Sequence, residues 1–339
     1  MFTTLVILTF LIITAFVVVT EPVKIALVYS NEPRREKTME TCLNILEDYI
    51  PSRVKVLTFP SSMDIESLEV TLHRLNDERI DLMVGPTYST QAYNMLPLIE
   101  KYRIFALSPT VTSPAVLGKS RYFYSISLSD VEQSKILAEV MTREVKGNVL
   151  IVASKENYVY SMTFASHFLR YYEGGAVTVI PMEGTTFNEE MVPNDVKGIL
   201  LVCDVQQALA VMKVIRKMGL KVPVYGSDYI SYGTLTPEEE EILRGVKVFV
   251  HFDVDHLKSI MKGNTVYSLL PPSPPMDLVN TIDALRLMVQ LYKLCGDEPD
   301  RIVEMLHKNT FEYVGIGGKI TMKDGLTIRS FSLVKLGGR

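Results

Sequence analysis

Ile80-Asp-Leu-Met-Val84 runs directly into Gly85-Pro-Thr-Tyr-Ser-Thr90, and the reading of this stretch decides the fold. Its first half is short and nearly continuously apolar, as in a strand buried on both faces of a parallel sheet. Gly85-Pro86 stops the strand, and residues from about Ser89 to Tyr102 read as a helix. One buried strand, one turn and one helix make a βα unit. The same unit recurs in both directions. Upstream, Val23 to Tyr29 is a β-rich run, followed by Met39, Cys42, Leu43 and Leu46 at helical spacing. Val54 to Phe59 and the helix carrying Ile65, Leu68, Leu72 and Leu75 repeat the pattern. Downstream come a strand at Ile104 to Leu107 and a restart at Asn148 to Ala153. A helix from about Tyr158 to Tyr172 follows, then strands at Ala176 to Pro181 and Gly198 to Cys203. Leu209 to Met218 reads as a helix ending on Gly219, and Val222 to Gly226 as the next strand.

This rhythm predicts an α/β protein of two Rossmann-like lobes, each a parallel sheet flanked by helices. The expected division is 22–125 plus 250–328 for lobe 1, and 126–249 plus 329–339 for lobe 2. A three-segment hinge joins them near Tyr124–Ser127, Arg244–Val250 and Thr327–Phe331. Leu269 to Pro275 reads as a stiff proline loop, Asp277 to Leu294 as a long helix and Pro299 to Lys308 as a shorter one. Lys319 to Met322 and Thr327 to Leu336 read as a hairpin turning at Asp324-Gly325.

The chain has 339 residues, 47% hydrophobic and 22% charged, which suits a packed protein of about two domains. A net charge of −4 argues against a nucleic-acid partner. Three scattered cysteines, Cys42, Cys203 and Cys295, make neither a disulfide framework nor a metal quartet. Residues 1–20 differ: between Leu5 and Val19 only Thr9 and Thr14 are polar, and no charge precedes Glu21. That run is read as a membrane anchor or a signal peptide, and it places the rest outside the cytoplasm.

Ligands of open α/β sheets sit beyond the carboxyl ends of the strands. There the chain offers Tyr88 and Ser89 after one strand, with Ser89 either holding a carboxylate at a helix start or capping that helix. Thr110 and Thr112 follow the next strand, in a loop fixed by two prolines that is either a ligand cradle or an ordinary turn. The second lobe offers Tyr158 and, after Gly226-Ser, Asp228. Hydroxyls on one side with a carboxylate and an aromatic on the other suit a free amino acid. His251-Phe-Asp-Val-Asp-His256 is the best metal-like cluster, and a polar interlobe segment is its plainer reading. No cofactor is called for. No nucleophile elbow, Walker loop, dinucleotide fingerprint or His-Glu-x-x-His is present, so an enzyme is not expected.

Val84-Gly-Pro-Thr-Tyr-Ser-Thr-Gln-Ala92, with Ile104-Phe-Ala-Leu-Ser-Pro-Thr-Val-Thr-Ser-Pro114, resembles the branched-chain amino-acid-binding proteins of ABC transporters, which are type I periplasmic binding proteins. Leu128 to Gln133, Asn157-Tyr158, Gly226-Ser-Asp228 and Gly317 to Gly325 extend the likeness over about residues 80 to 339. The resemblance implies Ser89, Thr110 (through its backbone) and Thr112 around the ligand's α-carboxylate and α-amino groups. Tyr158 would be a cleft wall, and Asp228 the ammonium partner where the family often has Glu. It also implies a membrane permease as partner. Two departures stand out. Tyr29-Ser-Asn-Glu-Pro-Arg-Arg35 replaces a glycine-rich loop, and Asp204 stands where the family offers an aromatic, which favours a cationic or polar ligand. A membrane-anchored sensor of the same fold, binding amides, peptides or other small acids, is the alternative.

Overall fold

The computed structural model describes residues 21–263 and 266–337, so the apolar run at 1–20 lies outside the described residues. The chain opens with β1 (Val23–Ser30), α1 (Pro33–Leu46), β2 (Val54–Ser61), α2 (Ile65–Asp77), β3 (Leu82–Val84), α3 (Ser89–Tyr102), β4 (Phe105–Ser108) and β5 (Phe123–Ser125). These strands form one sheet in the order β2-β1-β3-β4-β5, every pair parallel. Ile25 to Val28, Leu82 to Val84 and Phe105 to Leu107 are all buried. Continuous apolar strands of this kind demand helices on both faces.

The chain then crosses over and builds α4 (Asp130–Glu144), β6 (Asn148–Ser154), α5 (Tyr158–Tyr171), β7 (Val177–Met182), β8 (Val196–Val202), α6 (Val205–Lys217), β9 (Val224–Gly226), α7 (Pro237–Ile242) and β10 (Lys247–Val250). It returns through α8 (Val254–Gly263), α9 (Met276–Cys295) and α10 (Pro299–Lys308), then β11 (Phe311–Gly315), β12 (Gly318–Lys323), β13 (Leu326–Arg329) and finally β14 (Ser332–Lys335). The second sheet runs β14-β10-β9-β8-β6-β7, parallel except for the antiparallel edge strand β14. β11, β12 and β13 make a small antiparallel sheet. Helix α9 packs on α1 and on β3 and β4, which closes one face of the first sheet.

The α/β reading of the sequence matches this architecture. Asp324 and Gly325 both take positive φ, 51° and 76°, as a two-residue hairpin turn requires. Thr327 to Leu336 does not stay in one hairpin arm, however. Leu326 to Arg329 pairs with β12, and Ser332 to Lys335 leaves for β10 in the other sheet. The break has a cause. Arg329 is buried and donates to Asp283 Oδ2 (2.8 Å) and to the Ile126 carbonyl (3.3 Å), while Thr327 Oγ1 donates to the Ser125 carbonyl. Those bonds hold the arm against the end of β5, so the chain passes to the second sheet at Ser330-Phe331.

Candidate functional site

The loop after β3 is held tight against β1. Gly85 has φ 121°, and a Cβ there would meet the Val28 carbonyl oxygen at 2.1 Å, so only glycine fits. Tyr88, not Ser89, is the N-cap of α3, and it makes no side-chain cap bond. Ser89 is therefore buried in the first helical turn without capping it. The loop after β4 is locked by Ser108, whose Oγ donates to the Pro86 carbonyl (2.8 Å) and accepts from Thr110 N (3.2 Å) and Val111 N (2.9 Å). Thr110 Oγ1 donates to the Thr87 carbonyl (2.7 Å), which ties the two loops together. The side chain and N–H of Thr110 are thus used within the loops that follow β3 and β4. Its carbonyl accepts from Tyr232 Oη (3.3 Å), which follows β9.

Asp228 is fully buried, and its two oxygens are both engaged. Oδ1 accepts from Tyr160 Oη at 2.5 Å, and Oδ2 accepts from Tyr232 Oη at 3.2 Å. His251 Nε2 lies 3.4 Å from Oδ2 and 2.9 Å from Gln133 Nε2. Leu128 N donates to His251 Nδ1 (3.2 Å). Burial acts to raise the Asp228 pKa, but His251, Tyr160 and Gln133 together outweigh it and hold the group below the ordinary carboxylate value. Asp130 behaves oppositely. Burial, and then the nearby Asp228 charge, push its pKa well up, with the Thr112 hydroxyl drawing it part of the way back. Both Asp130 oxygens, Thr112 Oγ1 and Ser227 Oγ are buried without a hydrogen bond of normal geometry. Two buried carboxyl groups whose pKa values are driven in opposite directions therefore lie near one another, with the buried hydroxyls of Thr112 and Ser227 beside them. An ammonium group would satisfy that arrangement.

The other predicted residues are placed differently. Tyr158 begins α5 and is 49% exposed, while Tyr160, two residues on, is the aromatic that reaches Asp228. Asp204 is the N-cap of α6, with Oδ1 accepting from Gln207 N at 2.9 Å; burial raises its pKa against that bond. Tyr88 is buried, donates to Glu32 Oε2 (2.8 Å) and packs against Tyr229 and Tyr232 with ring centroids 5.5 and 6.3 Å away. His251 and His256 part company, His256 Nε2 lying 3.1 Å from the Gly315 carbonyl. Among the described residues no group of His, Cys, Asp or Glu is arranged to hold a metal ion.

Tyr160 and Tyr232 were not singled out from sequence, Asp130 and Gln133 fell only within the Leu128 to Gln133 likeness, and His251 was read as part of a metal-like cluster or a polar interlobe segment. Tyr160 stands two residues from Tyr158 and Tyr232 four from Asp228, both of which were singled out. Arg35 is the largest omission. It enters from the first turn of α1, is 1% exposed, donates through Nη1 to Asp277 Oδ2 (2.7 Å) and packs over the rings of Tyr88 and Tyr232, at 4.7 and 4.0 Å. The units built on the two sheets also touch directly. Thr90 N donates to Asn157 Oδ1 (3.1 Å), Val159 N to Thr90 Oγ1 (3.3 Å), Ser113 Oγ to the Val159 carbonyl (3.2 Å) and Gly233 N to Asp277 Oδ1 (3.0 Å). Arg34 pairs with Glu239.

Solved structures of similar shape are numerous. A leucine-binding protein of Thermotoga maritima matches with TM-score 0.78 at 17% identity, over 93% of this chain and 96% of its own. This is the type I periplasmic binding protein fold. A Rhodopseudomonas palustris solute-binding protein of an ABC transporter, in complex with 4-hydroxybenzoate, shares it with TM-score 0.78 at 13% identity, over 94% of each chain. So does a Streptococcus pneumoniae branched-chain amino acid transporter substrate-binding protein in complex with isoleucine, with TM-score 0.73 at 16% identity, over 93% of this chain and 99% of that one. No protein-family model and no curated protein sequence matches the chain. In this periplasmic binding protein fold, Thr110, Thr112, Asp204, Asp228 and His251 lie at or just beyond the carboxyl end of a strand, and Arg35 and Tyr160 lie on the helix that follows one.

Proposed function

We propose that this chain is the extracytoplasmic solute-binding protein of an ABC importer, that it closes over a free amino acid and that it delivers it to a membrane permease. The observation that carries the reading is the fully buried pair Asp228 and Asp130, their pKa values driven down and up respectively, beside the buried hydroxyls of Thr112 and Ser227, which make no hydrogen bond of normal geometry. Buried polar atoms left without partners are costly, and a ligand ammonium between lobes would repay that cost. Ser89 and Thr112 supply the hydroxyls for the α-carboxylate, with Tyr88, Tyr160 and Tyr232 as walls. Tyr158 stands at the rim, and Asp204 acts through the helix it caps. The segments joining the two sheets serve as the hinge, so a ligand that touches both sides shifts the population to the closed form. Residues 1–20 would export the chain or anchor it.

Four tyrosines, Tyr88, Tyr160, Tyr229 and Tyr232, are buried in the cleft, and this favours a second reading in which the ligand is an aromatic acid. A thermal-shift screen of residues 21–339 against amino acids, amides and hydroxybenzoates separates the two. A rise in melting temperature with one class of amino acid is the expected result. A rise with hydroxybenzoates alone would replace it with the second reading.

A further inference from the structure

The geometry points to Arg35 as a specificity-determining residue that selects an amino acid carrying a second acid group on its side chain. This rests on the amino-acid reading above and names the substrate class within it. A guanidinium offers five N–H donors. Here Nη1 is taken by Asp277 at 2.7 Å and Nε makes a long contact to Tyr88 Oη at 3.4 Å, while Nη2 is buried with no hydrogen-bond partner among the described residues. The second oxygen of Asp277 already accepts from Gly233 N, so it does not turn to cover Nη2. Glu32 is occupied by Tyr88 Oη and Ser30 Oγ, and bonds Arg35 only through the tyrosine. The free donors of Nη2 therefore have no acceptor among the described residues.

Their place in the cleft ties them to the head-group site. The face of Tyr232 lies 4.0 Å from the Arg35 guanidinium carbon, and the hydroxyl of the same ring reaches Asp228 at 3.2 Å and the Thr110 carbonyl at 3.3 Å. A cation and an ionised carboxylate thus stand one phenol ring apart, both buried. A ligand with its ammonium at Asp228 and a side-chain carboxylate at Arg35 Nη2 would satisfy both at once, with the charge-assisted geometry that guanidinium favours. Asp204, the feature that favoured a cationic ligand, is already engaged as a helix cap.

Titration calorimetry with L-glutamate, L-aspartate, L-leucine and L-lysine tests this, on the wild type and on two variants. Arg35→Lys keeps the charge and loses the fork; Arg35→Gln with Asp277→Asn removes both buried charges together, so that neither is stranded. The expected result is that the acidic amino acids bind the wild type best. They should weaken about tenfold or more in the double variant and less in Arg35→Lys, as for a hydrogen bond to a charged group. Leucine or lysine binding the wild type as tightly as glutamate would overturn the inference and leave the amino-acid reading standing. So would a folded double variant that holds glutamate like the wild type. No heat with any of the four, against a positive response to hydroxybenzoates, would overturn the amino-acid reading itself.

Discussion

Asp130 and Asp228 are both fully buried, yet their environments drive them apart. Asp228 is lowered below 3.8, so its contribution to stability is present above that value and is lost as pH falls through its folded pKa. Asp130 is raised well above 3.8, so the folded state holds the extra proton and stability declines as pH climbs from 3.8 toward the folded value. Asp130→Asn removes that decline. Thermal melts should show the variant more stable than wild type by on the order of 1 kcal/mol at pH 8, with the gain gone by pH 4. Asp228→Asn should weaken amino-acid binding by more than ~1.5 kcal/mol in calorimetry, because it removes the charge that faces the ammonium. Asp228 was legible in the sequence because a carboxylate directly after a buried strand has few other reasons to be there. Arg35 was not, since Glu32-Pro-Arg-Arg35 reads as a solvated charged loop. Nothing local says that Asp277, 242 residues on, completes its ion pair.

The βα units were readable because β1, β3, β4, β6 and β8 are apolar over most of their length and end on turn residues. β5 and β11 went unread as strands; each is short, and in β11 buried Tyr313 and Gly315 alternate with exposed Glu312 and Val314. Helix ends carry a testable consequence. Asp204 caps α6 and Tyr88 leads into α3 with no side-chain cap bond. Asp204→Ala should therefore cost about 1 kcal/mol of stability in denaturant unfolding, the usual cost of a lost N-cap. Its effect on ligand affinity, measured on the same preparation, should be smaller than that of Asp228→Asn. The reverse order would return Asp204 to the ligand.

For the whole molecule, direct hydrogen bonds and one ion pair hold the two units together, and under the proposed hinge they would favour the closed form. Arg34 and Glu239 sit at that junction, partly exposed, so their pair contributes only modestly to holding the two units together. Glu239→Gln keeps a residue able to complete the capping box of α7 with Thr236 but loses the ion pair. Ligand affinity should fall less than tenfold, through faster release, as stopped-flow dissociation would read. The crossings have a different consequence, which concerns how the gene can be cut. Residues up to β5 hold every strand of the first sheet but lack α9, the cover of one of its faces, and β10 gains its outer neighbour only when β14 arrives. No single uninterrupted stretch of codons therefore encodes either half. Recombination that exchanges one half between relatives must join three breakpoints at once, and a fragment ending after β13 would leave β10 as a bare edge open to pairing with other chains.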